Sequence, residues 1–564
     1  LFLVLLVYFP ALHAPLSPVD DRAILQWFQN RPDLVLADLF TLTTENYYRP
    51  LLMLTYLVDH RVWGGIPSFL HLENVLLHFL NVTLVWGLAV RVARAAGGEP
   101  FFFPLASAAL FALHPLNVEA VTWFAGRSDV LAAVFVLLAA HCLLTALVEN
   151  RFRWVLASLT ALAPGFLVKE TALFFLPAAL VLSWCWKKEI RPPAVPAKGR
   201  LPRWLFPVLA AGLLVAFVGF RAWTARSNLW GLADIASSLV SLEGASWGQL
   251  AAGAGFYVRK LFFPWPLNFT IYPVPAHFAW LAVVAFVAPL WFLVRRGIAA
   301  GFLVAAAVIA ASALVALLAR PGWTPVAERY MYIPLAFLVP GVVWGVARPE
   351  FARHVPAVAS GVVLTLVCGV FGYTVFDRNL LWRDNLALIR DSAEKSPDFP
   401  YVRSVLADLL LEAGRKKEAA RLIFTNRAPE GMRNRDFLEL KRAEFLHREG
   451  AQELARDLVL RTRKKGDPLY FEFQKLLLKI DKVRLEVLEG EPRQEAVEET
   501  IELLQQLYRT YHDPFYRYQL GQLLLREKRM SEAARQFRAA AVEAPPGAHY
   551  RDAALALADR LESE

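Results

Sequence analysis

The sequence predicts an all-α protein in two parts, a polytopic transmembrane helical bundle followed by a soluble α-solenoid. Apolar residues make up 57% of the 564 residues, a larger share than a typical soluble domain contains. Long apolar runs fill positions 1–376, whereas positions 377–564 are dense in Arg, Lys and Glu. In the second part, amphipathic helical patterns recur in pairs. We therefore expect a membrane domain at 1–376, a connecting segment at 377–396 and a repeat domain at 397–564.

About eleven apolar segments approach the length that crosses a bilayer, which is roughly 20 residues. They centre on 1–13, 70–90, 102–118, 129–148, 154–168, 171–186, 204–220, 277–294, 298–319, 331–347 and 355–376. A twelfth segment, 248–263, is interrupted by Arg259 and Lys260. We predict that it is a re-entrant or interfacial helix, because an amphipathic helix can lie in the headgroup layer without crossing.

Basic loop residues predict the orientation, since short cytoplasmic loops are enriched in Lys and Arg. If 248–263 does not span, five basic segments share the cytoplasmic side: 91–98, 150–153, 187–203, 295–296 and 347–354. The loops at 17–69, 114–128, 221–276 and 320–330 and the repeat domain then lie on the opposite side. We expect an integral protein of a bacterial inner membrane with its repeat domain in the periplasm.

The formal net charge of +10 does not indicate a nucleic-acid partner, because much of it lies in loops between apolar segments. Cys142, Cys185 and Cys368 are far apart, lie in or beside apolar runs and lack the spacing of metal ligands, so we expect core thiols and no metal site at them. The first apolar run is not followed by a signal-peptide cleavage site and is interpreted as a first helix, complete or truncated.

The soluble part carries the spacing of a helical repeat. Segments 401–423 and 514–546 each place small residues where two helices of a tetratricopeptide repeat (TPR) approach closely. Segments 432–465 and 467–512 resemble degenerate helix pairs, and 548–562 a capping helix. Stacked pairs form a solenoid whose concave face would bind protein or peptide. A generic helical bundle is the alternative.

Charged and polar residues cluster in the segments predicted to lie on the non-cytoplasmic side. Asp20 and Asp21 follow the first span and are either solvated linker charges or a base acting on a membrane-delivered substrate. Arg49 is either an interfacial anchor or a phosphate ligand, because guanidinium matches phosphate oxygens in a fork geometry. His71, Asn74 and His78 form one stripe of an apolar helix, as either a structural hydrogen-bond set or part of a site.

The loop 114–129 is the richest of these segments, with four titratable or cationic groups within sixteen residues: His114, Glu119, Arg127 and Asp129. This density of charged groups suggests a functional site rather than a helix cap with incidental charges. Two further charged groups lie at the outer edges of spans and could equally be anchors or ion pairs: Lys169-Glu170 and Glu328-Arg329-Tyr330.

The order of these motifs resembles a known family. "DD", "YRPL", "HLENVLLH", "HPLNVEAVTWFAGRSDVL", "KE", "ERYMYIP" and "RNLLWRDNLALIRDSAEKSP" precede the TPR-like region, as in the transmembrane-and-TPR-containing O-mannosyltransferases (TMTC). That family belongs to the GT-C glycosyltransferases. The resemblance runs through the chain in order, although 187–300 contributes little. The block from His114 to Asp129 is its most specific part.

The resemblance implies a membrane enzyme that transfers a sugar from a polyprenyl-phosphate donor to an acceptor hydroxyl with inversion, outside the cytoplasm. Asp20, with Asp21 beside it, would match the general base, and Glu119 the acidic residue of the second catalytic loop. The expected ligands of the donor phosphate are Arg49, Arg127, Lys169 and Arg329. Supporting roles would fall to His71, Asn74, His78, His114, Asp129, Glu170, Glu328 and Tyr330.

The chemistry is consistent with these residue types. An inverting transfer needs a carboxylate to take the hydroxyl proton and fixed positive charge where the phosphate leaves. We therefore predict a glycosyltransferase acting on protein recruited by the repeat domain, and the resemblance implies mannose as the sugar. The sequence leaves open whether a divalent metal takes part. The alternatives are an enzyme that acts on a lipid or cell-wall glycan, a non-enzymatic membrane-anchored TPR scaffold and a transporter.

Overall fold

The computed structural model describes residues 2–29, 34–41, 48–98, 101–190, 204–224, 244–319, 326–347, 357–427, 436–464, 469–545 and 548–563, and the single positions 31 and 202. These residues are mostly helical, and their one β-interaction is an isolated antiparallel bridge between Ile271 and Val326. The all-α class is therefore confirmed. Two compact units, Leu1–Val405 and Leu406–Glu564, meet within the helix Pro400–Glu412. The limits at 376 and 396 stay predictions.

The described residues of the first unit lie mainly in helices. Its α-helices are Phe2–Tyr8, Asp21–Gln29, Asp38–Thr41, Pro50–Trp63, Pro67–Ala95, Phe102–Leu113, Asn117–Thr122, Arg127–Glu149, Phe152–Phe166, Phe175–Trp186, Leu205–Thr224, Gly244–Phe262, Ala282–Arg295, Ile298–Ala319, Tyr332–Val346, Ala357–Leu381 and Asn385–Lys395. Short 3₁₀ helices cover Phe9–His13, Phe124–Gly126, Glu170–Phe174, Ala276–Leu281 and Glu328–Met331.

Six helical stretches among the described residues are long and apolar enough to cross a membrane: Pro67–Ala95, Phe124–Glu149, Ala276–Arg295, Ile298–Val315, Glu328–Val346 and Val358–Leu381. Four shorter apolar stretches match further predicted spans: Phe2–His13, Phe102–Leu113, Glu170–Trp186 and Leu205–Arg221. The remaining predicted span, 154–168, forms the helix Phe152–Phe166. The chain is thus an integral membrane protein with a helical bundle.

The spans differ in how much of their surface the protein itself covers. In Glu328–Val346 and Phe124–Glu149, 67% and 61% of the most apolar window is buried, but in Ala276–Arg295 and Val358–Leu381 only 6% is. Uncovered apolar area is unfavourable in water by roughly 25 cal/mol per Å². The last two spans therefore present their side chains to lipid, and the first two form the interior of the bundle.

The segment 248–263 forms part of the helix Gly244–Phe262. This helix is not among the stretches of the described chain whose length and hydropathy suffice for a crossing. Its path through or along the membrane stays a prediction.

The turn after the helix Asn117–Thr122 is unusually tight. The chain reverses through the 3₁₀ helix Phe124–Gly126 before the long helix Arg127–Glu149 begins. A Cβ atom at Gly126 would lie 2.7 Å from the carbonyl oxygen of Ala120, closer than real side chains approach. Glycine therefore lets this turn fold back on Glu119 and Ala120, which brings both ends of the loop together.

The second unit consists of paired helices. Its helices after the shared Pro400–Glu412 are Lys416–Thr425, Phe437–Arg448, Gln452–Thr462, Tyr470–Val487, Gly490–Tyr511, Pro514–Arg526, Met530–Glu543 and Arg551–Ser563. A Cβ atom at Gly521 would lie 2.8 Å from the Phe537 ring, so this small residue permits close packing of one pair. Helix pairs thus occupy the predicted segments, and the assignment to the TPR class stays a prediction.

Candidate active site

Asp21 is the buried member of the adjacent carboxylates, with only 1% of its surface exposed. Its Oδ2 accepts a 2.9 Å hydrogen bond from the Ser17 N–H, and its Oδ1 a 3.1 Å bond from the Ala125 N–H. Burial raises the pKa of Asp21 well above its ordinary value, although both N–H donors oppose this shift. Asp21 therefore fastens the segment after the first span to the turn at Phe124–Gly126.

Asp20 has the opposite environment. Its side chain is exposed and forms no hydrogen bond or ion pair with any residue that the structure describes. Its φ of 65° lies in the left-handed region, which residues other than glycine adopt rarely. The surrounding protein raises the pKa of Asp20 by removing water, and the charges of Arg329 and Arg49 oppose this rise. Asp20 is thus a carboxylate without a partner beside two guanidinium groups.

Arg329 and Glu119 form a buried ion pair. Arg329 Nη1 donates to Glu119 Oε1, and the Arg329 backbone N–H donates to Glu119 Oε2 over 3.1 Å. The guanidinium carbon also lies 4.8 Å from the centre of the Trp123 ring. Burial raises the pKa of Glu119, whereas the charge of Arg329 lowers it. Glu119 therefore holds the 3₁₀ helix Glu328–Met331 against the loop 114–129, to which Glu119 itself belongs.

Lys169 and Asp129 form a second pair, with 2.6 Å between Nζ and Oδ2. Both side chains are less than 10% exposed. The Lys169 ammonium also lies 5.4 Å from the centre of the Tyr330 ring. The pKa of Lys169 is lowered to about 8, chiefly by burial and also by the nearby charges of Arg49 and Arg329, while Asp129 opposes the shift.

Arg49 and Glu170 form a third pair at the N-terminus of the helix Pro50–Trp63. Arg49 Nε and Nη2 donate to Glu170 Oε2 over 3.1 and 2.6 Å. The side chains are 19% and 35% exposed, so this pair is the most accessible of the three.

We call the cationic members of these three pairs the cation cluster: Arg49, Lys169 and Arg329. The charges of Arg49 and Arg329 act on both the Asp20 carboxylate and the Lys169 ammonium. Each cation is held by a carboxylate from a different segment of the chain: Glu170, Asp129 and Glu119, respectively. The structure therefore brings together four of the residues expected from the sequence to handle base and phosphate chemistry.

Arg127 lies apart from the cation cluster. It is 1% exposed and donates to Asp59, to the Asn74 side chain over 2.9 Å and to the Leu70 carbonyl over 3.1 Å. Its Nη2 also lies 3.1 Å from a carboxylate oxygen of Glu73. A phosphate cannot reach this guanidinium in the present arrangement. Arg127 joins the start of its own helix to two neighbouring helices.

The polar stripe on the helix Pro67–Ala95 makes mainly structural contacts. Asn74 Nδ2 donates to the Trp123 carbonyl over 2.9 Å, and His78 Nδ1 lies 2.7 Å from the Tyr332 hydroxyl. The His71 ring is buried beside the backbone of Ala14 and Thr122. Asn74 and His78 thus fit the structural alternative.

His114 and Glu328 connect the site to the helix Gly244–Phe262. His114 Nε2 lies 3.2 Å from the Leu261 carbonyl oxygen. Lys260 Nζ donates to Glu328 Oε1 over 2.6 Å, and Asn268 N–H donates to the same oxygen over 3.0 Å. Glu328 is therefore a docking point for that helix, next to Arg329.

Three residues that the sequence did not single out as functional complete these contacts. Asp59 binds Arg127, Asn81 donates to the Tyr332 hydroxyl over 3.1 Å, and Lys260 binds Glu328. A signal existed for each, because a charged or amide side chain within an apolar helix is costly and needs a partner.

Comparison with known proteins supports the motif analysis. Residues 70–195 match the family model of dolichyl-phosphate-mannose-protein mannosyltransferases. This range contains the loop of Glu119 and Asp129 and the pair Lys169-Glu170, but neither Asp20 nor Arg329.

Several relatives carry the name protein O-mannosyl-transferase. The mouse protein TMTC2 is 34% identical over 148 residues, which are 24% of this chain and 17% of the mouse protein. Human TMTC2 is 30% identical over 192 residues, or 31% of this chain and 22% of its own length. Drosophila Tmtc2 is 38% identical over 136 residues, or 22% and 14%.

The matched part thus spans about a fifth of the length of these relatives. The comparisons confirm the resemblance to TMTC-like GT-C proteins that the motifs indicated.

Proposed function

We propose that this chain is a membrane glycosyltransferase that moves a sugar from a polyprenyl-phosphate donor to a hydroxyl group of a protein. The observation that carries this proposal is the position of Asp20 beside the cation cluster, as an exposed carboxylate that has no hydrogen bond or ion pair among the described residues. The names of the relatives support a mannosyl group and a protein acceptor.

In this proposal Asp20 is the general base. Its carboxylate takes the proton of the acceptor hydroxyl while the hydroxyl oxygen attacks the anomeric carbon of the sugar. The bond from that carbon to the phosphate oxygen breaks at the same time, and the lipid phosphate leaves with both bonding electrons. Attack opposite the leaving group inverts the anomeric carbon. The exposed side chain of Asp20 can reach an acceptor, whereas that of Asp21 is occupied and buried.

The cation cluster would hold the phosphate of the donor and stabilise the negative charge that it gains as it leaves. Arg49 is the most accessible member, and guanidinium binds phosphate oxygens in pairs. Lys169 and Arg329 are more enclosed, so their charges would act with less screening by water.

Glu119 and Asp129 are positioning residues in this proposal, because each is bonded to a cation rather than open to substrate. Glu170 and Tyr330 would help to shape the phosphate site around Arg49 and Lys169. The buried hydrogen bonds of Arg127 and Asp21 would fix the relative positions of the loops that carry the site.

The topology proposed from the basic loops puts Asp20 and the cation cluster on the non-cytoplasmic side, where a translocated lipid donor would present its sugar. The C-terminal unit would lie on that side too, as a TPR-like module that recruits or orients the acceptor. In a bacterium this side is the periplasm.

The test is transfer by the purified chain in nanodiscs, with polyprenyl-phosphate mannose as donor and a Ser/Thr-containing protein as acceptor. Asp20→Asn should abolish transfer, and mass spectrometry of the acceptor should detect a hexose only with the unmodified chain. Transfer to a lipid or glycan acceptor alone would favour the corresponding alternative enzyme. A chain that transfers no sugar to any acceptor class and still binds protein would be a scaffold.

A further inference from the structure

Two basic turns of the first unit lie side by side. One follows the helix Phe175–Trp186, and the other joins the helices Ala282–Arg295 and Ile298–Ala319. We call residues 184–189 and 291–297 together the basic junction. The topology predicted from the basic loops puts it on the cytoplasmic side, in the leaflet opposite to the proposed active site.

Hydrogen bonds hold the two turns of the basic junction together. The Gly297 N–H donates to the Cys185 carbonyl over 3.1 Å. Lys188 Nζ donates to the Arg295 carbonyl over 2.9 Å, which occupies one of the three donors of this ammonium group. The cations of both turns are therefore held in one place rather than on separate loops.

Both arginines of the second turn stack on exposed tryptophan rings. The guanidinium carbon of Arg296 lies 3.7 Å from the centre of the Trp184 ring, and that of Arg295 lies 5.0 Å from the centre of the Trp291 ring. Neither side chain forms a hydrogen bond or ion pair with any residue that the structure describes. A stacked guanidinium keeps its N–H edges open, so both arginines can still donate to phosphate oxygens.

The basic junction has an excess of positive charge. Residues 187–189 and 295–296 contain four cations and one carboxylate, so their balance is three positive charges. The carboxylate, Glu189, accepts a 3.2 Å hydrogen bond from the Ile298 N–H through Oε2. In the sequence no further Asp or Glu follows until Asp234. Such a local excess of one sign attracts an anion.

An apolar stripe leads from the membrane span to these cations. Val287, Leu290 and Val294 follow one another at helical spacing on one face, and they are 55%, 63% and 80% exposed. The span Ala276–Arg295 that carries them is among the least covered by protein, with 6% of its most apolar window buried. Open hydrocarbon surface thus ends directly at Arg295.

We propose that the basic junction binds one anionic phospholipid, whose phosphate contacts the guanidinium groups of Arg295 and Arg296 and whose acyl chain lies along the apolar stripe. Charge complementarity selects an anionic headgroup, and the adjoining stripe favours a lipid over a free anion. Basic pockets between membrane helices have this affinity for acidic headgroups. The inference does not depend on sugar transfer, so it can fail or succeed apart from the proposed function.

The experiment is native mass spectrometry of the full chain released from detergent micelles and titrated with phosphatidylglycerol. Arg295→Gln and Arg296→Gln should each weaken binding of the first lipid by about fivefold, the contribution of one cation beside an acidic headgroup. Glu189→Gln should tighten binding, because it removes a negative charge while its amide oxygen can still accept from Ile298. Misfolding cannot produce this gain of affinity.

Arg94→Gln is the matched control, because Arg94 is exposed in another basic segment expected on the same side. It should leave the affinity unchanged, which separates a specific site from the general attraction of basic loops for acidic lipid. An equal loss with Arg94→Gln would overturn the proposal, and so would equal binding of phosphatidylcholine. Complete displacement by millimolar inorganic phosphate would exclude a role of the acyl chain. A dimer lost in Arg296→Gln would assign the basic junction to a second copy instead.

Discussion

The backbone N–H of Ala125 donates a 3.1 Å hydrogen bond to Oδ1 of Asp21, although 104 residues separate them in the chain. This bond ties the segment after the first span to the turn Phe124–Gly126, which Glu119 precedes and Arg127 follows in the sequence. The neighbouring Asp20 is thereby held at the surface near Arg49 and Arg329. The two aspartates should consequently respond differently to the same substitution.

Asp21→Asn is expected to destabilise the first unit by about 1–3 kcal/mol, because one of two buried N–H donors would lose its acceptor. Thermal unfolding of the purified protein, followed by intrinsic fluorescence, measures the effect. Asp20→Asn is the control and should leave the melting temperature unchanged. Equal melting temperatures for both variants would contradict the structural role of Asp21.

Asp20→Asn should lower kcat for sugar transfer by about 10²- to 10⁴-fold, the usual contribution of general base catalysis. Donor binding should persist, since the cation cluster is intact. Asp398→Asn is a matched control, because Asp398 is an exposed aspartate of the same unit whose side chain forms no hydrogen bond or ion pair among the described residues. Retention of more than a tenth of the activity would exclude Asp20 as the base.

The pH profile of transfer should be bell-shaped. Activity should rise as Asp20 loses its proton, at a pH above the ordinary range of an aspartate because its pKa is raised. It should fall near pH 8 as Lys169, whose pKa is lowered to about 8, loses its charge. Lys169→Arg should shift only the alkaline limb upward, since guanidinium stays protonated. An unchanged alkaline limb would argue against Lys169 at the phosphate.

Glu119→Gln and Arg329→Gln should affect the donor rather than the acceptor. Arg329→Gln removes a proposed phosphate ligand and should raise KM for the donor. Glu119→Gln leaves the guanidinium without its carboxylate partner and should raise the same KM. In the double variant the two effects should be less than additive, because the residues form one pair. If Glu119→Gln instead shifted the acidic limb of the pH profile, Glu119 would be the base.

A reporter inserted after Ser563 should be active only on the non-cytoplasmic side. This follows from the proposal that the helix Gly244–Phe262 does not cross the membrane. A second reporter in the basic segment 187–203 should be active on the cytoplasmic side and serves as the control. A cytoplasmic signal at Ser563 would mean an even number of crossings instead of the eleven that we expect, as a crossing by the helix Gly244–Phe262 would produce.

Hydropathy alone was sufficient to predict where the chain turns between spans, because apolar length is a local property of the sequence. The loop with Glu119 and Asp129 could be singled out for the same reason, as a dense group of charges between apolar runs.

Which charges pair could not be predicted. Glu119 binds a residue 210 positions away, and Lys169 one 40 positions away, so the pairing depends on how the helices pack. Arg127 belongs to the most specific motif and was expected at the phosphate, yet its contacts with Asp59 and Asn74 enclose it. A motif indicates that a residue is important, but the burial of that residue depends on neighbours that the motif does not contain.

In the most apolar parts of the spans Ala276–Arg295 and Val358–Leu381, only 6% of the residues are buried within the described protein. Hydrocarbon accepts one apolar side chain as readily as another, so Val, Leu, Ile and Phe should exchange freely there over evolutionary time. The span Glu328–Val346, which is mostly enclosed, has no such freedom. Homologous chains should therefore diverge fastest along these two outward surfaces while the interior changes slowly.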